Sequence, residues 1–152
     1  MRTALNTSLW ISLLLLLLLL LPPATLADNS TKAADYTIHH NAIPTAILTP
    51  EIASTYGIVR SKYRGILNVS VIQEVPGTTG RPVSAQIEAQ ASNLLGQISN
   101  LKLREIREGD AIYYIGEFPI VDRETLRFSL QVTPSVRETP IAAELSQQFF
   151  ID

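Results

Sequence analysis

Residues 83–92 alternate without interruption between apolar and polar side chains. The apolar set comprises Val83, Ala85, Ile87, Ala89 and Ala91. Because successive side chains of a strand point to opposite faces of its sheet, this pattern predicts a strand with one face in a core and the other in water. The buried face is mostly alanine, so we expect bulky side chains from other strands to pack close against it.

Similar segments recur along the chain, separated by turns. We predict strands at 36–41, 65–75, 83–92, 101–107, 111–118 and 126–132, and a last strand that ends near Phe150. No long helices lie between them, as a parallel sheet would require. The sequence therefore predicts an all-β fold, an antiparallel sandwich of about seven strands. A partly open barrel is the alternative, since alternation and strand number do not distinguish the two.

The predicted sandwich is immunoglobulin-like in architecture only. The chain has no cysteine, and its single tryptophan, Trp10, precedes the predicted domain. Immunoglobulin domains are marked by a disulfide packed against a buried tryptophan, and neither is available here. A chain of this length still buries enough surface to fold without a disulfide.

One short helix is expected among the strands. Thr49 can cap its first turn, Pro50 suits the first helical position, and Glu51 suits the positive end of the helix dipole. Gly57 follows, and glycine readily takes the left-handed conformation in which many helices end. We therefore predict a helix at 50–56.

The turn Glu108-Gly109-Asp110 predicts a β-hairpin between the segments 101–107 and 111–118. If Gly109 and Asp110 are its two central residues, the numbers of paired residues sum to 219. The register then pairs Leu101 with Phe118 and Lys102 with Glu117.

The same register places Ile106, Tyr113 and Ile115 together on one face of the hairpin, so both of its faces are partly apolar. Either the segment from Thr45 to Tyr56 covers these three residues, or they are exposed and bind a partner. We favour cover, because large exposed apolar patches are uncommon on monomeric proteins.

The N-terminus has the pattern of a secretory signal peptide. Arg2 precedes an apolar run at 9–21, and Thr25 and Ala27 supply small residues for cleavage. We therefore predict a signal peptide at 1–27, cut near Ala27. An uncleaved anchor is the alternative, but the run of about 13 residues is shorter than the roughly 20 needed to span a bilayer. After cleavage no membrane span is expected.

Residues 28–34 are polar or small, and we predict a flexible lead there. The remaining residues, 35–152, are expected to form a single β-sandwich domain without internal repeats.

Charge argues against nucleic acid as a partner. The chain has 12 basic and 14 acidic residues, and the two kinds are interleaved. Nucleic-acid binding depends on clustered Lys and Arg that neutralise phosphates. The one local basic cluster, Arg60, Lys62 and Arg64, is interpreted as a solvated face.

His39 and His40 are the only imidazoles in the chain. As neighbours on a predicted strand they should point to opposite faces and thus not serve one site. No cysteine can complete a metal site, and no nucleophile motif accompanies the pair. We therefore predict no catalytic residue, no metal site and no cofactor.

The segment Asn93-Leu94-Leu95-Gly96-Gln97 ends the alternating strand with a glycine between apolar residues and amides. We favour a tight connection in which Asn93 and Gln97 satisfy local backbone groups. The alternative is a recognition loop, because sandwich folds commonly place binding residues at their ends.

Four segments spread over nearly the whole mature chain are distinctive as a set: 40–42, 56–62, 93–97 and 104–114. Together they resemble a family of exported proteobacterial proteins known only as a domain of unknown function. The resemblance implies a Gram-negative periplasmic setting and a sandwich fold, and it supplies no catalytic residue.

These observations predict a periplasmic binding or protein-interaction module that is not an enzyme. Its partner would be an unidentified periplasmic protein or a small ligand. The candidate binding residues are His39, Asn41, Asn93, Gln97, Ile106, Tyr113 and Ile115. The alternative is a small hydrolase-like enzyme or a metal carrier centred on His39 and His40.

Overall fold

The computed structural model describes residues 29–151, so the predicted signal peptide and its cleavage near Ala27 lie outside the described residues. The strands, numbered in chain order, are β1 Ser30–Ala33, β2 Tyr36–Pro44, β3 Arg64–Gln73, β4 Arg81–Pro82, β5 Ala85–Asn93, β6 Ile98–Leu101, β7 Arg104–Glu108, β8 Ala111–Pro119, β9 Thr125–Pro134 and β10 Ile141–Gln148. A 3-10 turn at Thr45–Ile47 precedes helix α1, Pro50–Thr55. No helix in this part of the chain has the length and apolarity needed to cross a bilayer.

Two antiparallel sheets form a sandwich, as predicted. The larger sheet has six strands in the order β1-β2-β3-β8-β7, with β4 paired to β3, and the smaller has four in the order β10-β9-β5-β6. The seven longer strands correspond to the seven predicted ones. The other three, β1, β4 and β6, have only two to four residues each.

Strand β1 lies where a flexible lead was predicted at 28–34. It pairs with β2 from Ser30 opposite His39 to Ala33 opposite Tyr36, and the chain turns at Ala34, whose φ is 53°. A short edge strand is held by backbone hydrogen bonds, which need no apolar alternation, so its sequence carries no strand signal. The flexible lead is therefore corrected to a strand at Ser30–Ala33 that extends the larger sheet.

The core lies between the two sheets. Ala91 on the alanine face of β5 is buried opposite Phe128 of β9. Phe128 in turn packs against Phe118 of β8, with ring centroids 4.9 Å apart, and Phe149 lies 5.4 Å from Phe118. Aromatic rings from three other segments thus provide the bulky side chains that were expected to pack against the alanine face.

The β7–β8 hairpin has the predicted register, because all five of its pairs have residue numbers that sum to 219. The predicted pairs of Leu101 with Phe118 and of Lys102 with Glu117 are wrong. Leu101 belongs to β6 and pairs with Ala89 of the smaller sheet. The chain therefore crosses from one sheet to the other between β6 and β7.

Helix α1 begins at the predicted residue, Pro50, and ends at Thr55, one residue before the predicted end. The Thr49 hydroxyl accepts a hydrogen bond from the backbone N–H of Ile52 at 3.3 Å, Pro50 is the first helical residue, and Gly57 has a φ of 62°. These are the features of a capped N-terminus and a left-handed stop.

The segment between β2 and β3 covers part of the outer face of the larger sheet. Leu48, Ala53 and Ile58 pack there against Ile106 and Ile115 in a second apolar cluster, separate from the core. The predicted cover is therefore confirmed, and we call residues 45–61 the cover segment.

Thr45 joins the two ends of the cover segment. Its side chain is fully buried, and Oγ1 lies 2.9 Å from the carbonyl oxygen of Val59 and 3.0 Å from that of Ser61. The same oxygen accepts a hydrogen bond from the N–H of Ser61 at 2.9 Å. This one hydroxyl thus bonds to two residues at the far end of the segment.

Candidate interaction surface

Five of the candidate residues share the outer face of the larger sheet: His39, Asn41, Ile106, Tyr113 and Ile115. Paired residues of neighbouring strands face the same side, and Asn41 pairs with Asn68, which pairs with Ile115. Ile106 pairs with Tyr113, and His39 lies two residues from Asn41 on β2. The sheet thus brings together residues that are far apart in sequence.

The cover segment divides this outer face into two parts. Beside it, His39 and Asn41 are exposed. Beneath it, Ile115 is buried, whereas Ile106 and Tyr113 are half-buried at its margin. A partner could therefore contact His39 and Asn41 directly, but it could contact only the margin of the surface beneath the cover segment.

Two hydrogen bonds fix the cover segment to β7. The guanidinium of Arg104 donates to the carbonyl oxygen of Tyr56, and the Tyr56 hydroxyl donates to Glu108 Oε2 at 2.8 Å. This hydrogen bond to a carboxylate raises the pKa of Tyr56 above its usual value, because it favours the protonated phenol. Both bonds hold the end of α1 over the sheet.

The two histidines point to opposite faces, as predicted. His40 is 2 % exposed on the inner face, where its Nε2 lies 3.0 Å from Thr31 Oγ1. His39 is exposed on the outer face, opposite Ser30 and Ser70. Residues 29–151 contain no group of three or more His, Asp or Glu side chains arranged to hold a metal ion. The two imidazoles therefore do not form one site.

Asn93 and Gln97 lie at one end of the sandwich, in the loop between β5 and β6. Asn93 Oδ1 accepts hydrogen bonds from the N–H groups of Leu95 and Gln97, at 3.1 and 3.0 Å. Asn93 Nδ2 lies 2.7 Å from Gln97 Oε1 and 2.9 Å from Glu124 Oε1. The Asn93 amide is thus used to shape the loop, which agrees with the favoured interpretation of a tight connection.

The same loop displays two neighbouring leucines. Leu94 and Leu95 are 83 % and 85 % exposed, at the tip held by Asn93. The amides of this loop were predicted as candidate binding residues, whereas its leucines were not. The available signal was the two consecutive apolar residues, which break the alternation of β5 just as the strand ends.

Four further exposed apolar side chains lie at the same end of the sandwich: Tyr63, Ile98, Val121 and Phe150. The N–H of Ile120 donates to the carbonyl oxygen of Tyr63 at 2.9 Å, and the N–H of Phe149 donates to that of Glu124 at 3.0 Å. The first bond joins two loops of the larger sheet, and the second joins two loops of the smaller sheet. We call the six residues Tyr63, Leu94, Leu95, Ile98, Val121 and Phe150 the apolar end.

The opposite end of the sandwich differs in both polarity and charge. Its large exposed apolar residues are Val75 and Val136. Its connecting loops, at 34–35, 74–80, 109–110 and 135–140, contain four acidic residues and one basic residue, namely Asp35, Glu74, Asp110, Glu138 and Arg137.

At the apolar end, two acidic groups are paired with basic ones. Glu117 forms an ion pair with Arg64 at 3.1 Å and Asp122 with Arg123 at 3.7 Å, while Glu124 accepts a hydrogen bond from the neutral amide of Asn93. Charges of both signs are therefore present at the apolar end, whereas the loops of the far end are mainly acidic.

A family model described as a domain of unknown function, DUF4426, matches residues 30–152. The chain belongs to the DUF4426 family. The resemblance to a family known only as a domain of unknown function is thus confirmed. None of the curated proteins matches this DUF4426 sequence significantly.

Solved structures share the DUF4426 fold. A DUF4426 family protein from Pseudomonas aeruginosa PAO1 is 32% identical, with a TM-score of 0.70 over 83% of this chain and 97% of that one. FetP from uropathogenic E. coli strain F11, expressed in the periplasm of E. coli BL21(DE3), is 10% identical, with a TM-score of 0.58 over 82% of this chain and 94% of its own. A copper-bound FetP variant also has a TM-score of 0.58 at 10% identity, over 81% and 95%. The likeness to FetP is one of fold.

Proposed function

We propose that this chain is a periplasmic, non-catalytic interaction module that docks through its apolar end. The observation that carries the proposal is the pair Leu94 and Leu95, both more than four-fifths exposed on a loop that Asn93 holds in shape. Leaving two neighbouring leucines in water forgoes several kcal/mol that burial would provide, about 1.5–3 kcal/mol for each. Such clustering of exposed apolar residues is typical of an interaction site.

The shape of the site favours a partner with an extended surface over a small ligand. Small-molecule sites are concave and enclose most of their ligand, whereas Leu94 and Leu95 project from the tip of a loop. The aromatic rings of Tyr63 and Phe150 widen the same surface. The exposed His39 and Asn41 on the outer face then remain available as a secondary contact.

The periplasmic setting rests on the leader pattern at 1–27 and on the fold. FetP, which shares the fold, was expressed in the periplasm. We expect the processed protein to begin at Asp28, and mass spectrometry of the exported protein tests this directly. Retention of residues 9–21 in the isolated protein would contradict it.

A metal carrier is the second candidate, because a variant of the fold relative FetP binds copper. In this chain His39 and His40 face opposite sides of β2, and His40 Nε2 is engaged with Thr31. The geometry therefore favours docking over metal transport.

Site-directed photocrosslinking in living cells tests the docking proposal. We expect a benzophenone amino acid at position 95 to give crosslinked products with a component of the cell envelope. The same group at position 136 is the matched control, because Val136 is 69 % exposed and lies at the opposite end of the sandwich. Equal yields at the two positions, or none at position 95, would overturn the proposal.

A further inference from the structure

The side chains of the apolar end have the composition of a membrane-interface surface. Leu94 and Leu95 lie at the tip of a loop there, and the rings of Tyr63 and Phe150 are exposed at the same end of the sandwich. Lys62 places its Nζ 5.5 Å from the centre of the Tyr63 ring. Leucines that enter the acyl region, aromatic rings at headgroup level and basic side chains near lipid phosphates are the elements of interfacial binding.

Charge favours one orientation of the molecule on a negative surface. Two acidic groups at the apolar end, Glu117 and Asp122, are paired with arginines, and Arg127, on β9 near the same end, makes no ion pair within the described residues. The four acidic residues in the opposite loops would be repelled by anionic lipids. A bilayer with negative headgroups would therefore meet the apolar end first.

The path of the chain into β1 is consistent with the same orientation. Strand β1 is antiparallel to β2, so its first residue points toward the end at which β2 finishes, which is the apolar end. The N–H of His40 donates to the carbonyl oxygen of Asn29 at 2.9 Å, and four more residues of β2 reach Pro44, about 13 Å further. The apolar run 9–21 is separated from Asn29 by seven residues, which extend at most about 25 Å. Before cleavage, a leader in the membrane would therefore leave the apolar end within reach of the bilayer.

Building on the proposed function, we infer that the surface onto which the apolar end docks is an anionic phospholipid bilayer. Leu94 and Leu95 enter the boundary between headgroups and acyl chains. Tyr63 and Phe150 lie at the headgroups, and Lys62 and Arg127 face the lipid phosphates. The processed protein is then a peripheral membrane protein that contacts the bilayer without crossing it.

Vesicle flotation of the processed protein tests this inference. We expect co-flotation with vesicles of phosphatidylethanolamine and phosphatidylglycerol, and weaker binding to phosphatidylcholine vesicles. Raising NaCl from about 0.1 M to about 1 M should weaken binding, because the screening length falls from about 10 Å to about 3 Å.

A leucine variant and its control locate the contact. Each buried leucine contributes more than a tenfold change in partitioning, so Leu94→Ser with Leu95→Ser should reduce binding by about 100-fold or more. The double variant Val75→Ser with Val136→Ser, at the opposite end, should bind as the unmodified protein does. Unchanged melting temperatures would show that both variants are folded.

The outcomes separate this inference from the proposed function. Absence of binding to anionic vesicles, or equal binding by the leucine variant, overturns the bilayer assignment. If position 95 nevertheless crosslinks to an envelope protein, or to a second copy of this chain, the interaction module stands with a different partner. If it crosslinks to neither lipid nor protein, both proposals fail.

Discussion

The Tyr114 hydroxyl accepts a hydrogen bond from the backbone N–H of Ala85 at 2.8 Å, across the space between the two sheets. Tyr114 belongs to β8 in the larger sheet, and Ala85 is the first residue of β5 in the smaller. The same hydroxyl donates to Glu105 Oε2 at 2.8 Å, while Arg107 donates to Glu105 Oε1 and to Ser84. A small polar network thus links the sheets at the margin of an apolar core.

Tyr114→Phe should lower the free energy of unfolding by about 1–2 kcal/mol, because it leaves the Ala85 N–H without its acceptor. Chemical denaturation measures the change. Tyr113→Phe is the matched control, since the Tyr113 hydroxyl on the outer face has no hydrogen bond in the described structure. Equal losses in the two variants would show that the link between the sheets contributes nothing specific.

Glu105 makes the stability of this network depend on pH. Hydrogen bonds from Tyr114 and then from Arg107 lower the pKa of Glu105 below its ordinary value of 4.5. A carboxyl group with a lowered pKa in the folded state stabilises the fold fully above its unfolded pKa and loses that contribution as pH falls through the folded pKa. The melting temperature of the unmodified protein should therefore exceed that of Glu105→Gln by the largest margin near pH 7.

The difference in melting temperature between the unmodified protein and Glu105→Gln should shrink below pH 4.5. Glu138→Gln is the control, because Glu138 makes no hydrogen bond or ion pair within residues 29–151. A difference between the unmodified protein and Glu105→Gln that stays constant from pH 7 into the acid range would contradict the assignment.

Gly65→Ala should destabilise the fold by about 1–3 kcal/mol. A Cβ at this position would lie within the van der Waals radius of the Phe118 ring, which is itself wedged between Phe128 and Phe149. The clash outweighs the gain of about 0.4–1 kcal/mol that alanine provides by restricting the unfolded chain.

A double-mutant cycle isolates the contact between Gly65 and Phe118. In a Phe118→Leu background the ring is absent, so Gly65→Ala should cost clearly less than it does alone. Equal costs in the two backgrounds, measured by urea denaturation, would place the strain elsewhere.

Zinc and copper should leave the melting temperature of the processed protein unchanged. A metal at 100 times its dissociation constant would add about 2.7 kcal/mol, which for a domain of this size raises the melting temperature by roughly 6 °C or more. His40 is buried, so the proper comparison is the metal-induced shift within His39→Ala and within the unmodified protein. A shift that disappears in His39→Ala would favour the metal carrier.

The features that sequence predicted correctly are those with local signals. Alternation located the long strands, Gly109 set the hairpin register, and Thr49 and Gly57 set the limits of α1. The features that were missed depend on contacts distant in sequence. Strand β1 forms because a partner edge is present, and no residue near Leu101 signals that the chain leaves one sheet for the other.

The candidate site shows the same division. Asn93 and Gln97 stand out in sequence because amides beside a glycine are typical turn residues, and they do shape the loop. The exposure of Leu94 and Leu95 depends on which loops meet at that end, which strand patterns alone do not reveal. Leucine is an apolar residue type that usually lies in a core, whereas the fold leaves these two leucines in water.

The Thr45 hydroxyl joins the two ends of the cover segment, and Tyr56 ties the segment to β7. The second apolar cluster shares no residue with the main core, so we expect the cover to detach before the sandwich unfolds. In native-state hydrogen exchange, the amide of Ile58, bonded to Ala53, would then exchange by this partial opening, whereas amides in the middle of β3 would wait for global unfolding. In such an open state Ile106 and Ile115 would become accessible, so the cover segment conceals a second apolar surface besides the exposed one.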